Sequence, residues 1–175
     1  MQAQEIENFF DQKKLTAYTK LLLNPIAFKA GLVRDLPLAS LIGVSLNKLN
    51  NKECELTVPY RFLNKNPFNT TYWAVLGMVA EMGSGALLLM YTNKMQPSVS
   101  TFVVGCECKF IKTATGLTTF KCDQGLEIAE KVMKTCQTFE AQEIVCKTIA
   151  YNEQGEIVAE FIFTWGVKAR RPKVA

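Results

Sequence analysis

Residues 73–91 read WAVLGMVAEMGSGALLLMY, a stretch apolar on nearly every side that carries a single carboxylate, Glu81, near its middle. A charge inside an apolar helix is costly unless something pairs with it, so its presence points to a chosen role. The residues just before the run are polar. Asn66, Asn69, Thr70 and Thr71 precede it, and Asn or Thr can accept hydrogen bonds from the first free amides of a helix. A helix start of this kind, with a carboxylate further in, suits an anion and acyl site.

About 18 apolar residues also suffice to cross a bilayer. A membrane span would put Glu81 near mid-membrane, and Gly77, Gly83, Ser84 and Gly85 dilute the run. It would also split the alternating segments on either side into two unrelated halves. A central helix wrapped by a sheet uses all of them, so no membrane span is expected. Residues 1–24 contain Glu5, Glu7, Asp11, Lys13 and Lys14 and lack the apolar core of a signal peptide, which makes a reducing cytoplasm the expected setting.

The 175 residues are enough for one domain with a real core, and 49% hydrophobic against 21% charged is a globular balance. The net charge of +4 is mild and scattered except at Lys168, Arg170, Arg171 and Lys173. A nucleic-acid reader would show a clustered basic face, so no nucleic-acid partner is expected. The basic tail reads as solvated, with a phosphate-bearing ligand as its alternative. The chain has no histidine, which excludes Ser-His-Asp triads, Cys-His pairs and HExxH zinc sites. Six cysteines (Cys54, Cys106, Cys108, Cys122, Cys136, Cys146) form no CxxC pair and read as buried free thiols. No metal site is expected.

Along the chain, Ile6, Phe9, Phe10, Leu15, Tyr18, Leu21 and Leu22 supply a helical stripe, and Asn24-Pro25 opens a second short helix that Gly31 closes. From Val44 the period changes to two. Val44 and Leu46, then Cys54, Leu56, Val58 and Tyr60, alternate with polar residues around a turn at Asn50 and Asn51, which predicts a hairpin. Beyond the central helix, strands are predicted at Val99–Ile111, with Phe102, Val104, Cys106, Cys108 and Phe110 on one face, and at Leu117–Cys122. Residues 125–135 read as an amphipathic helix. Two long strands follow, Thr138–Tyr151 and Glu156–Lys168, the second with Ile157, Ala159, Phe161, Phe163 and Trp165 facing one way. The sum is an α+β domain in which one long helix, expected over Thr71–Met90, lies against a curved antiparallel sheet. Its all-round apolarity predicts a second subunit as further cover.

The stretch Val58–Leu89, VPYRFLNKNPFNTTYWAVLGMVAEMGSGALLL, resembles the core of the hotdog fold, and within it the acyl-CoA thioesterases of the phenylacetate-pathway type. It is most similar to an uncharacterised thioesterase-like branch. The resemblance implies a single hotdog domain with an N-terminal helical segment (1–42), a core (43–168) and a basic tail (169–175). It implies an asparagine before the helix, a His-Gly-Gly at its start and an acid about two turns in. Asn66 takes the asparagine position, Tyr72, Trp73 and Ala74 take the place of His-Gly-Gly, and Glu81 takes the acid. The implied roles are Glu81 as base or nucleophile, the Trp73 amide as oxyanion donor and Asn66 as orienting residue. Asn69, Tyr72, Ser100 and Thr101 would line the substrate, the last two from a neighbouring subunit. The implied activity is hydrolysis of an acyl-CoA or related thioester by a homodimer or dimer of dimers, with no cofactor beyond the coenzyme A of the substrate. The missing His-Gly-Gly supports an alternative, a non-catalytic hotdog module that binds an acyl chain or serves as a dimeric scaffold.

Overall fold

Four short helices lead the chain in the computed structural model, which describes residues 2–171: α1 (Gln2–Phe9), α2 (Gln12–Leu23), α3 (Pro25–Asp35) and α4 (Pro37–Ile42). The single helix expected over Ile6–Leu22 is broken at Asp11, whose carboxylate accepts from the amides of Lys13 and Lys14 and so starts α2 afresh. Asn24 caps α3 in the same way, accepting from Ile26 and Ala27, with Pro25 at the first helical position. Gly31 does not close that helix. It lies inside α3, and the left-handed glycine that ends the helical segment is Gly43 (φ 83°), at the C-cap of α4.

Six strands follow: β1 (Ser45–Leu49), β2 (Cys54–Val58), β3 (Val99–Phe110), β4 (Thr118–Cys122), β5 (Gln142–Tyr151) and β6 (Ile157–Ala169). They form one antiparallel sheet in the order β1-β2-β4-β5-β6-β3. Tyr60 falls outside β2, because Pro59 has no N–H to continue the ladder. The strand expected from Thr138 starts later, at Gln142. Helix α6 (Gly125–Thr138) occupies that end and stops at Phe139 in the left-handed region (φ 59°).

The long helix α5 (Trp73–Thr92) lies on one face of the sheet with α6 beside it. It is long and apolar enough to cross a membrane by composition, yet more than half of that apolar window is buried within the protein. Two buried hydrogen bonds anchor it to the sheet. Thr148 Oγ1 donates to the Ala80 carbonyl at 3.0 Å, and Trp165 Nε1 donates to Ser84 Oγ at 3.0 Å. A Cβ at Gly83 would lie 3.4 Å from the Thr148 side chain, in ordinary van der Waals contact, which places this part of α5 directly against β5.

Strand β3 departs from the expected alternation. A bulge between Val103 and Gly105 shifts its register against β6, so Phe102 pairs with Gly166 while Cys106 and Cys108 pair with Phe163 and Phe161. Phe102 and Val104 stand over Gly166, on the face away from α5, and only Cys106, Cys108 and Phe110 share the face of Phe161 and Phe163. Because β3 is an edge strand, Cys106 and Cys108 are exposed, which corrects the expectation that all six thiols are buried. Cys54, Cys122, Cys136 and Cys146 are buried, and burial pushes the Cys122 thiol up to about 11.

Candidate active site

The chain reaches the start of α5 through a loop held by its own asparagines. Asn64, almost fully buried, donates from Nδ2 to the Pro59 carbonyl (2.7 Å), accepts at Oδ1 from the Arg61 amide (2.7 Å), and its carbonyl accepts from the Tyr72 amide at 2.8 Å. Asn66 accepts at Oδ1 from the amides of Phe68 and Thr70 and donates from Nδ2 to Thr70 Oγ1. Its side chain is thus spent on the loop, as an Asx turn spends it. Asn69 sits in the left-handed region (φ 57°), with its amide donating to the Asn66 carbonyl. The expected side-chain cap from these residues does not form. Tyr72 is the N-cap and no side chain bonds to the first amides of α5, so the Trp73 amide points out of the helix start without a partner from the loop. Thr71, buried beside it, leaves its Oγ1 without a hydrogen bond.

The rings of Tyr72 and Trp73 meet edge to face, with centroids 6.0 Å apart, and both stay half exposed. Phe62 and Phe68, on the segment that leads to α5, are exposed at 79% and 83%.

Glu81 is half-buried two turns further on, and burial raises its carboxyl pKa above the usual carboxylate value. Among the described residues, no cation or hydrogen-bond donor meets its carboxylate. One turn later, Gly85 stands beside it: a Cβ there would lie 3.4 Å from Glu81 Oε1 and 3.5 Å from the Trp165 ring. The carboxylate therefore lies on the flank of α5 that faces β6, next to the edge strand β3. Eight residues separate Trp73 from Glu81 on one continuous helix, a rise of about 12 Å. That is too far for both to act on one carbonyl group from the same protomer.

Ser100 and Thr101 lie near the start of β3. Thr101 pairs with Val167 on the face of Trp165, and Ser100 pairs with Lys168 on the other. The Ser100 hydroxyl accepts from Arg170 Nε at 3.0 Å. Within one protomer the sequence-predicted residues thus form three places: Asn66, Asn69, Tyr72 and Trp73 at the helix start, Glu81 on its flank, and Ser100 with Thr101 at the end of the sheet. Sequence reasoning passed over Asn64, named Gly85 only as diluting the apolar run, and named Arg170 only as part of the basic tail. Gly85 stands four residues after Glu81 and so on the same side of the helix.

A long helix laid against one six-stranded antiparallel sheet is the hotdog fold. Residues 25–167 match the family described as a domain of unknown function, DUF4442. The chain belongs to the DUF4442 family. No curated protein matches its sequence. Among solved structures, this DUF4442 chain is similar to a Pseudomonas aeruginosa protein of unknown function described as a "probable thioesterase", at 20% identity over 83% of this chain and 97% of that one, with a TM-score of 0.71. A Chlorobaculum tepidum protein of unknown function is 16% identical over 85% of this chain and 98% of that one, with a TM-score of 0.69. A Haemophilus influenzae thioesterase is 11% identical over 83% of this chain and 92% of that one, with a TM-score of 0.61. At these identities the likeness establishes the fold, and the chemistry of the DUF4442 chain has to be argued from its own residues.

Proposed function

We propose that this protein hydrolyses a thioester, an acyl-CoA or a related acyl carrier ester, at a site formed between two copies of the chain. Glu81 would come from one protomer and the free Trp73 amide from its partner. The observation that carries the reading is the Glu81 carboxylate itself: half-buried, without a partner among the described residues, raised in pKa and set beside Gly85 and Trp165. A purely structural carboxylate at that depth would be hydrogen-bonded.

The assembly follows from β3. It is an edge strand of 12 residues that exposes Phe102, Val103, Val104 and Phe110, and its outer row of backbone groups has no neighbouring strand. A second copy paired along β3 about a two-fold axis continues the sheet and sets the two α5 helices antiparallel, which brings each Glu81 toward the other helix's start. A homodimer is therefore the smallest complete unit, and a dimer of dimers is compatible with it.

In this site the partner's Trp73 amide, at the positive end of α5, polarises the thioester carbonyl. Glu81 takes a proton from a water whose oxygen adds to the carbonyl carbon, or attacks that carbon itself to form an acyl anhydride that water then hydrolyses; in either route the carbon–sulfur bond breaks and coenzyme A leaves as the thiolate, which takes up the proton. Asn66 acts at one remove, by holding the loop that presents the amide. Asn69 and Tyr72 line the acyl approach, and Thr101 faces the same side of the sheet as Trp165.

The test is a panel of acyl-CoA esters. At least one is turned over, and Glu81→Gln lowers kcat by about 100-fold or more while the fold persists. Asn66→Ala lowers it less. A silent panel, or full activity in Glu81→Gln, rejects the hydrolase. The second reading, an acyl-binding module, is favoured by the bulky Trp73 indole where the resembling enzymes carry glycine; acyl-CoA binding without turnover would establish it.

A further inference from the structure

The short helices α3 and α4 turn large apolar side chains outward. In α3 the inward side is taken by Phe28 and Leu32, four residues apart. Ile26 and Val33, seven apart, stand on the opposite side, and Ile26 is 81% exposed. In α4, Ala39 and Ile42 are buried while Leu38 and Leu41 are exposed. The two helices pack on each other, and α4 packs on the single turn Phe62–Asn64. Arg61 lies across the end of α4, where a Cβ at Gly43 would meet its guanidinium at 2.9 Å. The exposed Phe62 ring adjoins the same helices, with the Lys65 ammonium 4.8 Å from its centroid. Large apolar side chains exposed together in this way mark a docking face.

The charge around this face has one sign. Residues 12–51 hold six cations against one acid, Asp35, and residues 59–72 add Arg61 and Lys65 with no acid, whereas the whole chain carries only +4. Asp35 is taken by Arg34 at 2.6 Å, and Lys48 holds Glu53. Among the described residues, Lys29, Arg61 and Lys65 hold no carboxylate. Lys29 stands on the outward side of α3, between Ile26 and Val33. The face also lies far from β3. Helix α3 packs against β1, and β1 and β3 are the two edges of the sheet, five strand spacings or about 24 Å apart. A second copy paired along β3 leaves the face uncovered, and a copy docked on it about a two-fold axis would set cations against cations.

We infer that this face docks on the surface of an anionic lipid bilayer. Ile26, Val33, Leu38 and Leu41 enter the headgroup region, and Lys29, Arg61 and Lys65 meet lipid phosphates. Such a bilayer answers both features at once, with phosphate for the cations and acyl chains for the aliphatic side chains that protrude between them. The protein lies on the membrane without crossing it, and α5 keeps its place against the sheet.

Vesicle flotation compares the wild type with Ile26→Ser/Val33→Ser/Leu41→Ser and with Lys29→Gln/Lys65→Gln, on phosphatidylcholine alone and with about one-third phosphatidylglycerol. All five replaced side chains are exposed, so thermal melts should match the wild type. The wild type floats with the anionic vesicles, less so as salt is raised, and each variant partitions at least about tenfold more weakly. Val145→Ser, which removes an exposed apolar side chain from β5, serves as the control and leaves flotation unchanged. No flotation of the wild type overturns the proposal, as does an equal loss in Val145→Ser. Binding that falls with the lysines but survives the serine substitutions would mark a plain basic patch, suited to an acidic protein, and overturns the bilayer. A serine variant that sediments as a smaller assembly, with no vesicle binding by the wild type, would assign the face to a second copy instead. Flotation needs no turnover, so a silent acyl-CoA panel leaves this result standing.

Discussion

If Glu81 acts with the partner's helix start, two inactive variants must rescue each other when they share a dimer. The first is Glu81→Gln. The second is Trp73→Pro, which removes the backbone N–H together with the indole and leaves the helix start in place: Trp73 is the first residue of α5, where proline is favoured, and Tyr72 already has the extended backbone (φ −61°, ψ 133°) that a following proline requires. Loss of one oxyanion donor lowers kcat by about 100- to 1,000-fold, and Trp73→Ala, which keeps the N–H, separates that effect from loss of the indole. In a mixed dimer purified through two different tags, both substitutions fall in one site, and the other site joins an intact Glu81 to an intact Trp73 amide. The mixed dimer therefore recovers about half of the wild-type rate per dimer, since one of two sites is whole. The reasoning turns on the rise of about 12 Å between the two groups on one helix. A mixed dimer as inactive as its parents would mean that both groups act within one chain, and the shared site would be wrong.

Replacing Ser84 with Ala strands the buried Trp165 indole N–H and should cost about 1–3 kcal/mol, read as a loss of several degrees in Tm; an unchanged Tm would remove this bond from the account of how α5 is anchored. The raised pKa of Glu81 also fixes the sign of a pH effect, because the folded chain holds that proton more tightly than the unfolded one. Its favourable contribution is complete below the ordinary glutamate pKa and is lost as pH rises through the folded value. Glu81→Gln, which stays neutral, should thus gain stability over the wild type at pH 7 and lose that advantage near pH 4, as thermal melts across that range would show. A gain independent of pH would contradict the desolvated carboxylate. The wild-type rate should rise with pH through the same raised pKa, and a flat profile there would count against Glu81 as the base.

The helix α5 was legible because its apolarity is continuous and needs no neighbour to be recognised, and β2, β5 and β6 were legible because their alternation runs without interruption. Glu81 stood out for the same reason, as one charge in an apolar stretch. β3 was misread past Val103, since a bulge changes the side on which later residues emerge while the alternation in the sequence runs on. The exposure of Cys106 and Cys108 could not be seen either: it follows from β3 lying at the edge of the sheet, and strand order is a property of pairing across the chain.

The sequence by itself determined that one long helix must be enclosed by an antiparallel sheet, and that this helix carries an acid and begins after a polar loop. Periodicity and composition are local quantities, and they suffice for that much. Only the tertiary structure decided what the acid and the loop can do. It spent the Asn66 side chain inside the loop, left the first amides of α5 without a side-chain cap and placed Glu81 on the flank nearest the open edge strand. It also tied Arg170 to Ser100 from opposite ends of two paired strands. These are relations between residues distant in sequence, set by which surfaces are buried together, and no local pattern records them.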